Sequence, residues 1–162
     1  MVIKKIKEED YVQIAEIYLQ GILSGHATFE TQAPSWQEWR DSHLLDCSLA
    51  AFDTTKMLGW AALSPTSKRY AYRGVAEVSV YVSEAYKGKG IGQKLFQSVI
   101  EESEKQEIWT IFASIFPENL TSLKLHKKMG FREIGYREKV GQMNGVWRNT
   151  IILERRSKLV GI

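Results

Sequence analysis

The segment from Glu77 to Gly92 narrows the possible folds more than any other part of the chain. Val75 to Val82 alternates at the period of a strand, with Val78, Val80 and Val82 on one face and Glu77, Ser79 and Tyr81 on the other. After a short loop come Lys87-Gly88-Lys89-Gly90-Ile91-Gly92, then a helical pattern through Leu95, Phe96, Val99 and Ile100. A strand that runs into glycines at the start of a helix outlines a phosphate cradle. Glycine lets the backbone approach an anion, successive N–H groups point inward, and the helix N-terminus adds partial positive charge. Lys87 and Lys89 can supply more charge at the rim. The plain alternative is a turn. The spacing fits neither a Walker A loop, which needs a four-residue gap and a Lys-Ser/Thr ending, nor a dinucleotide fingerprint, which needs two residues in its second gap.

The flanking sequence predicts one mixed α/β (α+β) domain over residues 1–156, with helices on a mostly antiparallel sheet and a loose tail over 157–162. Val2 to Ile6 reads as a strand, and Asp10 as the cap of a helix carrying Val12, Ile14, Ala15, Ile17 and Tyr18. Gly21 to Pro34 reads as loop. Ser35 with Glu38 forms a capping box before Trp39, Leu44 and Leu45. Ser48 to Phe52 and Met57 to Leu63 flank the turn Asp53-Thr54-Thr55-Lys56. Trp109 to Ile115 is a β-branched and aromatic strand. Pro117-Glu118-Asn119 opens a helix over Leu120 to Met129, which Gly130 closes. Phe131 to Lys139 and Val146 to Glu154 are strands around Asn144-Gly145, a hairpin signal.

Composition removes several functions. The 22 basic and 19 acidic residues are spread along the chain, and a net charge of +3 without clusters argues against nucleic acid. Cys47 is the one cysteine, which leaves no disulfide within the chain and no thiol-rich metal site; no metal is expected. No uninterrupted apolar stretch exceeds the four residues of Trp60 to Leu63, and the start has no apolar core of signal length, so no membrane association and a cytoplasmic setting are expected.

Lys87-Gly88-Lys89-Gly90-Ile91-Gly92 resembles the pyrophosphate loop of the GNAT acetyltransferase superfamily, with Lys where Arg or Gln is usual. Pro117-Glu118-Asn119, Ser122, Leu125-His126 and Gly130-Phe131 look like that superfamily's second cofactor-contacting helix and the strand after it. A narrower likeness runs through Ala27-Thr28-Phe29-Glu30, Gly59-Trp60-Ala61, Tyr72-Arg73, Glu77 to Val82 and Gly145-Val146-Trp147-Arg148. Together these five segments resemble the phosphinothricin and methionine sulfoximine acetyltransferases. The resemblance implies acetyl-CoA as donor, a small amine of amino-acid type as acceptor, and a homodimer.

It also implies roles for single residues. Amine acetylation needs the nitrogen deprotonated, an oxyanion stabilised and the leaving thiolate reprotonated. Glu77, a carboxylate among Val75, Ala76 and Val78, is the expected general base, directly or through a water; a structural ion pair with an arginine such as Arg73 is the alternative. Cofactor contacts are expected at the backbone of Val80, Tyr81 and Val82, along Lys87, Gly88, Lys89, Gly90, Ile91, Gly92 and Gln93, and at Asn119 and Ser122. His126 is the expected general acid, with Tyr81 next in line. Phe29, Glu30 and Val78 are expected to line the acceptor pocket, and Arg69 and Arg73 beside Tyr72 to hold an α-carboxylate. No activated Ser, Cys or Lys is visible, so direct attack on the thioester is expected. The competing readings are another amine, such as a protein N-terminus, a polyamine or an aminoglycoside, and a non-catalytic acyl-CoA-binding module.

Overall fold

The computed structural model describes residues 1–162. Seven strands form one sheet in the order β1-β2-β3-β4-β5-β7-β6, in which only β4 and β5 run parallel. The strands are β1 (Val2–Lys5), β2 (Leu44–Asp53), β3 (Lys56–Pro65), β4 (Val75–Val82), β5 (Thr110–Ile115), β6 (Arg132–Met143) and β7 (Val146–Arg156). Four helices flank them: α1 (Tyr11–Ser24), α2 (Trp36–Ser42), α3 (Ile91–Lys105) and α4 (Leu120–Lys128). The mixed, mostly antiparallel sheet expected from the sequence is the architecture found.

The alternation of β4 decides which helices cover which face. Val78 buries with Leu95, Phe96 and Val99 of α3, and Val80 and Val82 pack against the same cluster. On the opposite face Tyr81 packs against a smaller cluster built from Ile14 and Ile17 of α1, Trp39 of α2 and Trp60 of β3. Leu95 and Phe96 are fully buried at the centre of the larger core. Truncating either to Ala would cost roughly 2–5 kcal/mol, because the space left cannot close.

Several boundaries differ from expectation. Helix α1 runs through Gly21 to Ser24 and stops at Gly25, which takes the left-handed conformation. Gly21 lies within the helix where the Tyr81 ring packs closely, and a Cβ there would lie 2.7 Å from that ring. Helix α2 has the capping box of Ser35 and Glu38 but ends at Ser42, so Leu44 already belongs to β2, paired with Leu63. The stretch after Arg156 is not a loose tail: Arg156 donates to the carbonyls of Ser157, Val160 and Gly161, and buried Ser157 donates to Glu104 at 2.8 Å. A guanidinium carries enough donors to satisfy several carbonyls of a returning chain at once.

Candidate functional site

Strands β4 and β5 pair over only three positions, Val75↔Thr110, Ala76↔Ile111 and Glu77↔Phe112. Beyond Glu77 the two strands diverge, although β4 continues to Val82. From Val78 onward one edge of β4 has lost its strand partner, leaving main-chain polar groups in need of another. Glu77 stands at the apex of this split.

A cavity of about 720 Å3 fills the divergence. It reaches both faces of the sheet, since its walls include Glu77, Ser79 and Tyr81 from one face of β4 and Val78 and Val80 from the other. Phe29 and Glu30 from the α1–α2 connection line it, as do Asn119, Ser122 and His126 from the start of α4 and its last turn. Glu30, Glu38 and Glu77 contribute three carboxylates, and no Lys or Arg belongs to the lining.

Glu77 is half-buried and forms no salt bridge with Arg73 or any other cation. Burial pushes its carboxyl above the ordinary carboxylate range, and the charge of Arg137 pulls part of the way back. A carboxyl shifted in this direction is a stronger base than an exposed carboxylate.

The glycine segment forms the other end of the site, outside the cavity itself. Gly88 and Gly90 both adopt positive φ, at 75° and 76°, which β-carbon-bearing residues rarely take. The N–H groups from Gly88 through Gln93 have no hydrogen-bond acceptor within the protein; the first one paired is that of Lys94, with the Gly90 carbonyl at 3.2 Å. Six successive unpaired donors at the head of a 15-residue helix form a site for an anion. Lys87 pairs with Glu84 and the Lys89 ammonium sits 5.2 Å from the Tyr86 ring centroid, so both lysines stand at the rim. A Cβ on Gly92 would lie 3.4 Å from Val82, so the helix head sits close against the end of β4.

His126 is buried, with Nδ1 2.7 Å from the Ser122 carbonyl and its ring set edge-on to Phe96 and Phe131. A carbonyl can only accept, so Nδ1 carries the proton and the neutral ring has none on Nε2. Burial also lowers the imidazole's pKa, which disfavours the doubly protonated form. With Nδ1 donating to Ser122, a neutral His126 has no second ring proton to give. Tyr81 lines the same cavity, and burial raises its phenol pKa, keeping the hydroxyl protonated.

The two expected carboxylate-binding arginines lie elsewhere. The Arg73 guanidinium donates to the Tyr70 carbonyl at 3.1 Å and sits 4.0 Å over the Tyr70 ring. With Tyr72 it borders a separate cleft of about 450 Å3. Arg69 sits over the Tyr72 ring at 5.4 Å and lines neither cavity. Conversely, Arg148 takes a part that its place in a familiar tetrapeptide did not specify. It donates to the Gly25 carbonyl at 2.9 Å, contacts His26 at 3.0 Å and sits 4.1 Å from the Phe116 ring. Asn119 also donates to the His26 carbonyl, at 3.1 Å, while its own carbonyl oxygen caps α4 through Ser122. Arg148 and Asn119 thereby pin the segment that carries Phe29 and Glu30, and His26 joins the cavity wall. Residue spacing gives no sign of such long-range contacts.

No helix is long and apolar enough to cross a membrane, and no cluster of His, Cys, Asp or Glu could hold a metal ion. Residues 10–131 match the model of the acetyltransferase (GNAT) family. A phosphinothricin N-acetyltransferase of Alcaligenes faecalis is 30% identical over 159 residues, covering 94% of this chain and 81% of that one. An L-methionine sulfoximine/L-methionine sulfone acetyltransferase of Pseudomonas aeruginosa is 30% identical over 120 residues, 74% of this chain and 70% of the relative. Among solved structures, a phosphinothricin acetyltransferase from Sinorhizobium meliloti in complex with acetyl-CoA superimposes with a TM-score of 0.88 at 28% identity, over 99% of this chain and 90% of the other.

Proposed function

Because the chain belongs to the acetyltransferase (GNAT) family and is an N-acetyltransferase that uses acetyl-CoA as donor, we propose that it acetylates the amine of a small amino-acid analogue, with Glu77 as general base. The observation that carries this reading is the position of Glu77, a half-buried carboxylate without a salt-bridge partner at the apex of the β4–β5 split. The donor's chemistry fits the residues around it. The unpaired N–H groups of Gly88 to Gln93 suit a pyrophosphate, and the unpartnered edge of β4 beyond Glu77 suits an amide-bearing arm laid alongside it like a strand. Acetyl-CoA supplies an acetyl group already activated as a thioester.

The protein's own residues then have separable tasks. Glu77, directly or through a water, takes the proton that the amine must lose to become a nucleophile. Free N–H groups along β4 stabilise negative charge as it develops on the acetyl oxygen. Tyr81 holds a proton within the cavity and is the better candidate to hand it to the departing thiolate; His126, its Nδ1 committed to Ser122, positions α4. Phe29, Glu30 and Val78 line the acceptor side. The same reading makes the enzyme cytoplasmic and a homodimer. The dimer has a candidate surface in the edge strand β6, where Ile134, Tyr136 and Val140 are exposed beside Trp147 of β7.

The acceptor class follows from the names of the relatives, two of which act on phosphinothricin or on methionine sulfoximine and sulfone. One observation favours a different amine: the lining holds three glutamates and no Lys or Arg, which suits a polycation. Release of free CoA thiol from acetyl-CoA, followed with phosphinothricin, methionine sulfoximine, methionine sulfone, a polyamine, an aminoglycoside and a short peptide, separates them. Turnover on the amino-acid analogues alone is the expected result. Turnover confined to the polyamine or the peptide would replace the acceptor, and acetyl-CoA binding without turnover on any amine would remove the catalytic assignment.

A further inference from the structure

An amino-acid acceptor brings a carboxylate into a cavity whose lining is acidic and holds no cation, and Arg69 and Arg73 are turned to other partners. The compensating charge must therefore stand at the rim. One arginine meets the geometric conditions. Register pairs point to the same side of a sheet, and alternate residues of a strand share a face. Glu77 pairs with Phe112, Phe112 with Glu154, and Thr150 lies four residues before Glu154 on β7, paired with Arg137 of β6. Arg137 thus lies on the face of Glu77, across from a residue of the cavity wall.

The strand is distorted at that point. From Arg137↔Thr150 to Gly141↔Arg148, β6 advances by four residues while β7 advances by two, so the ladder is interrupted immediately after Arg137. Lys139 sits in this bulge at φ 49°, its N–H held by the Asn149 side chain at 2.7 Å. At the far end of the bulge Gly141 abuts the Phe29 ring, which itself lines the cavity. Bulges of this kind bend a strand and re-aim its side chains.

Two further observations point to a ligand in this corner. Thr150 is 4% exposed, and its hydroxyl has no hydrogen-bond partner in the protein. A buried hydroxyl without a partner is costly unless something else supplies one. Arg137 forms no salt bridge or hydrogen bond, whereas Arg132, Arg148, Arg155 and Arg156 are all engaged. Its charge nevertheless reaches the Glu77 carboxyl.

Resting on the amino-acid reading above, we propose that Arg137 binds the carboxylate of the acceptor at the mouth of the cavity, with the Thr150 hydroxyl beside it. A planar guanidinium can hold a carboxylate through two parallel N–H donors. The acceptor's amine is then presented toward Glu77 from a fixed point, and a polycation is repelled from the same entrance.

The test compares methionine sulfone with its carboxamide, two acceptors with one amine and different charge, on the wild type, Arg137→Gln and Arg137→Lys. For Arg137→Gln, kcat/KM on methionine sulfone should fall about 10- to 100-fold, as expected for loss of a charge-assisted pair. The fall should reside mainly in KM, while the carboxamide changes by less than about twofold. Arg137→Lys should lie between, since it keeps the charge and loses the fork. Unchanged kinetics on methionine sulfone, or equal losses on both acceptors, would overturn the assignment and leave the enzyme's acceptor class standing. A wild type inert toward every carboxylate-bearing amine would overturn both.

Discussion

The donor end and the acceptor end of the split are built in different ways. At the proposed donor end the groups on offer are main chain: six N–H groups in a row, exposed by two glycines at positive φ and aligned by a helix. At the acceptor end it is side chain, gathered from the α1–α2 connection, β4, α4, β7 and the bulged edge of β6. A main-chain site tolerates any side chain that leaves the backbone free, so it can stay constant while the acceptor end changes. Under the proposed function the contrast locates specificity: the donor would be read by the backbone, and the acceptor by loops and bulges.

If that division is right, substitutions should split cleanly between the two substrates. Glu77→Gln should lower kcat by roughly 10²–10⁴ with little change in acetyl-CoA affinity, measured by steady-state kinetics and by donor binding. Its effect on stability has the opposite sign. Burial raises the folded-state pKa of Glu77, so the ionised carboxylate destabilises the fold as pH rises through that value. Glu77→Gln should therefore raise Tm at pH 7–8, a gain that disappears below about pH 3, where the carboxyl is protonated in both states. Wild-type kcat/KM should for the same reason fall at acid pH with a midpoint above the ordinary range for Glu. Next in size, Tyr81→Phe should lower kcat by about 10- to 100-fold, as for loss of a proton donor. His126→Asn, whose amide N–H takes the place of Nδ1–H toward the Ser122 carbonyl, should cost less; the reverse order would return the proton to His126.

Smaller effects test the donor end and the wall between the two. Gly90→Val forces a β-branched residue into the left-handed region and disorders the head of α3. About a tenfold rise in KM for acetyl-CoA is expected, with KM for the amine unchanged. Gly141→Ala sets a methyl 2.8 Å from the Phe29 ring and should raise only the acceptor KM, by roughly twofold to fivefold. A shift in acetyl-CoA affinity from this change would show that the two ends are coupled.

The same division explains what could be read in the sequence. The glycine loop was visible because backbone geometry leaves a local mark, glycines at fixed spacing between a strand and a helix. Glu77 was visible because a charge inside a β-branched strand is conspicuous. The family likeness added Phe29 and Glu30, which periodicity alone would have left in an anonymous loop. Arg137 could not be found this way, since its position depends on pairing with Thr150 across the hairpin and on an interruption that alternation does not reveal. Arg69 and Arg73 illustrate the converse, since neither lines the cavity. Arginines beside tyrosines look like a carboxylate clamp, yet these guanidinium groups lie over the rings of Tyr70 and Tyr72. The end of α2 was misjudged because Leu44 and Leu45 satisfy a helical pattern as well as a strand, and pairing with β3 decided between them.

The three-position seam between β4 and β5 has a mechanical consequence. The sheet is two ribbons, β1-β2-β3-β4 and β5-β7-β6, joined by far fewer rungs than hold either ribbon together. The cheapest opening of such a molecule is a parting of the ribbons well short of global unfolding, so the amides of Thr110 and Phe112, which face β4, should exchange with solvent before those of β3. A donor laid along the bare edge of β4 would supply rungs that the protein itself omits. It would act as mortar between the halves, and thermal resistance would rise with its concentration.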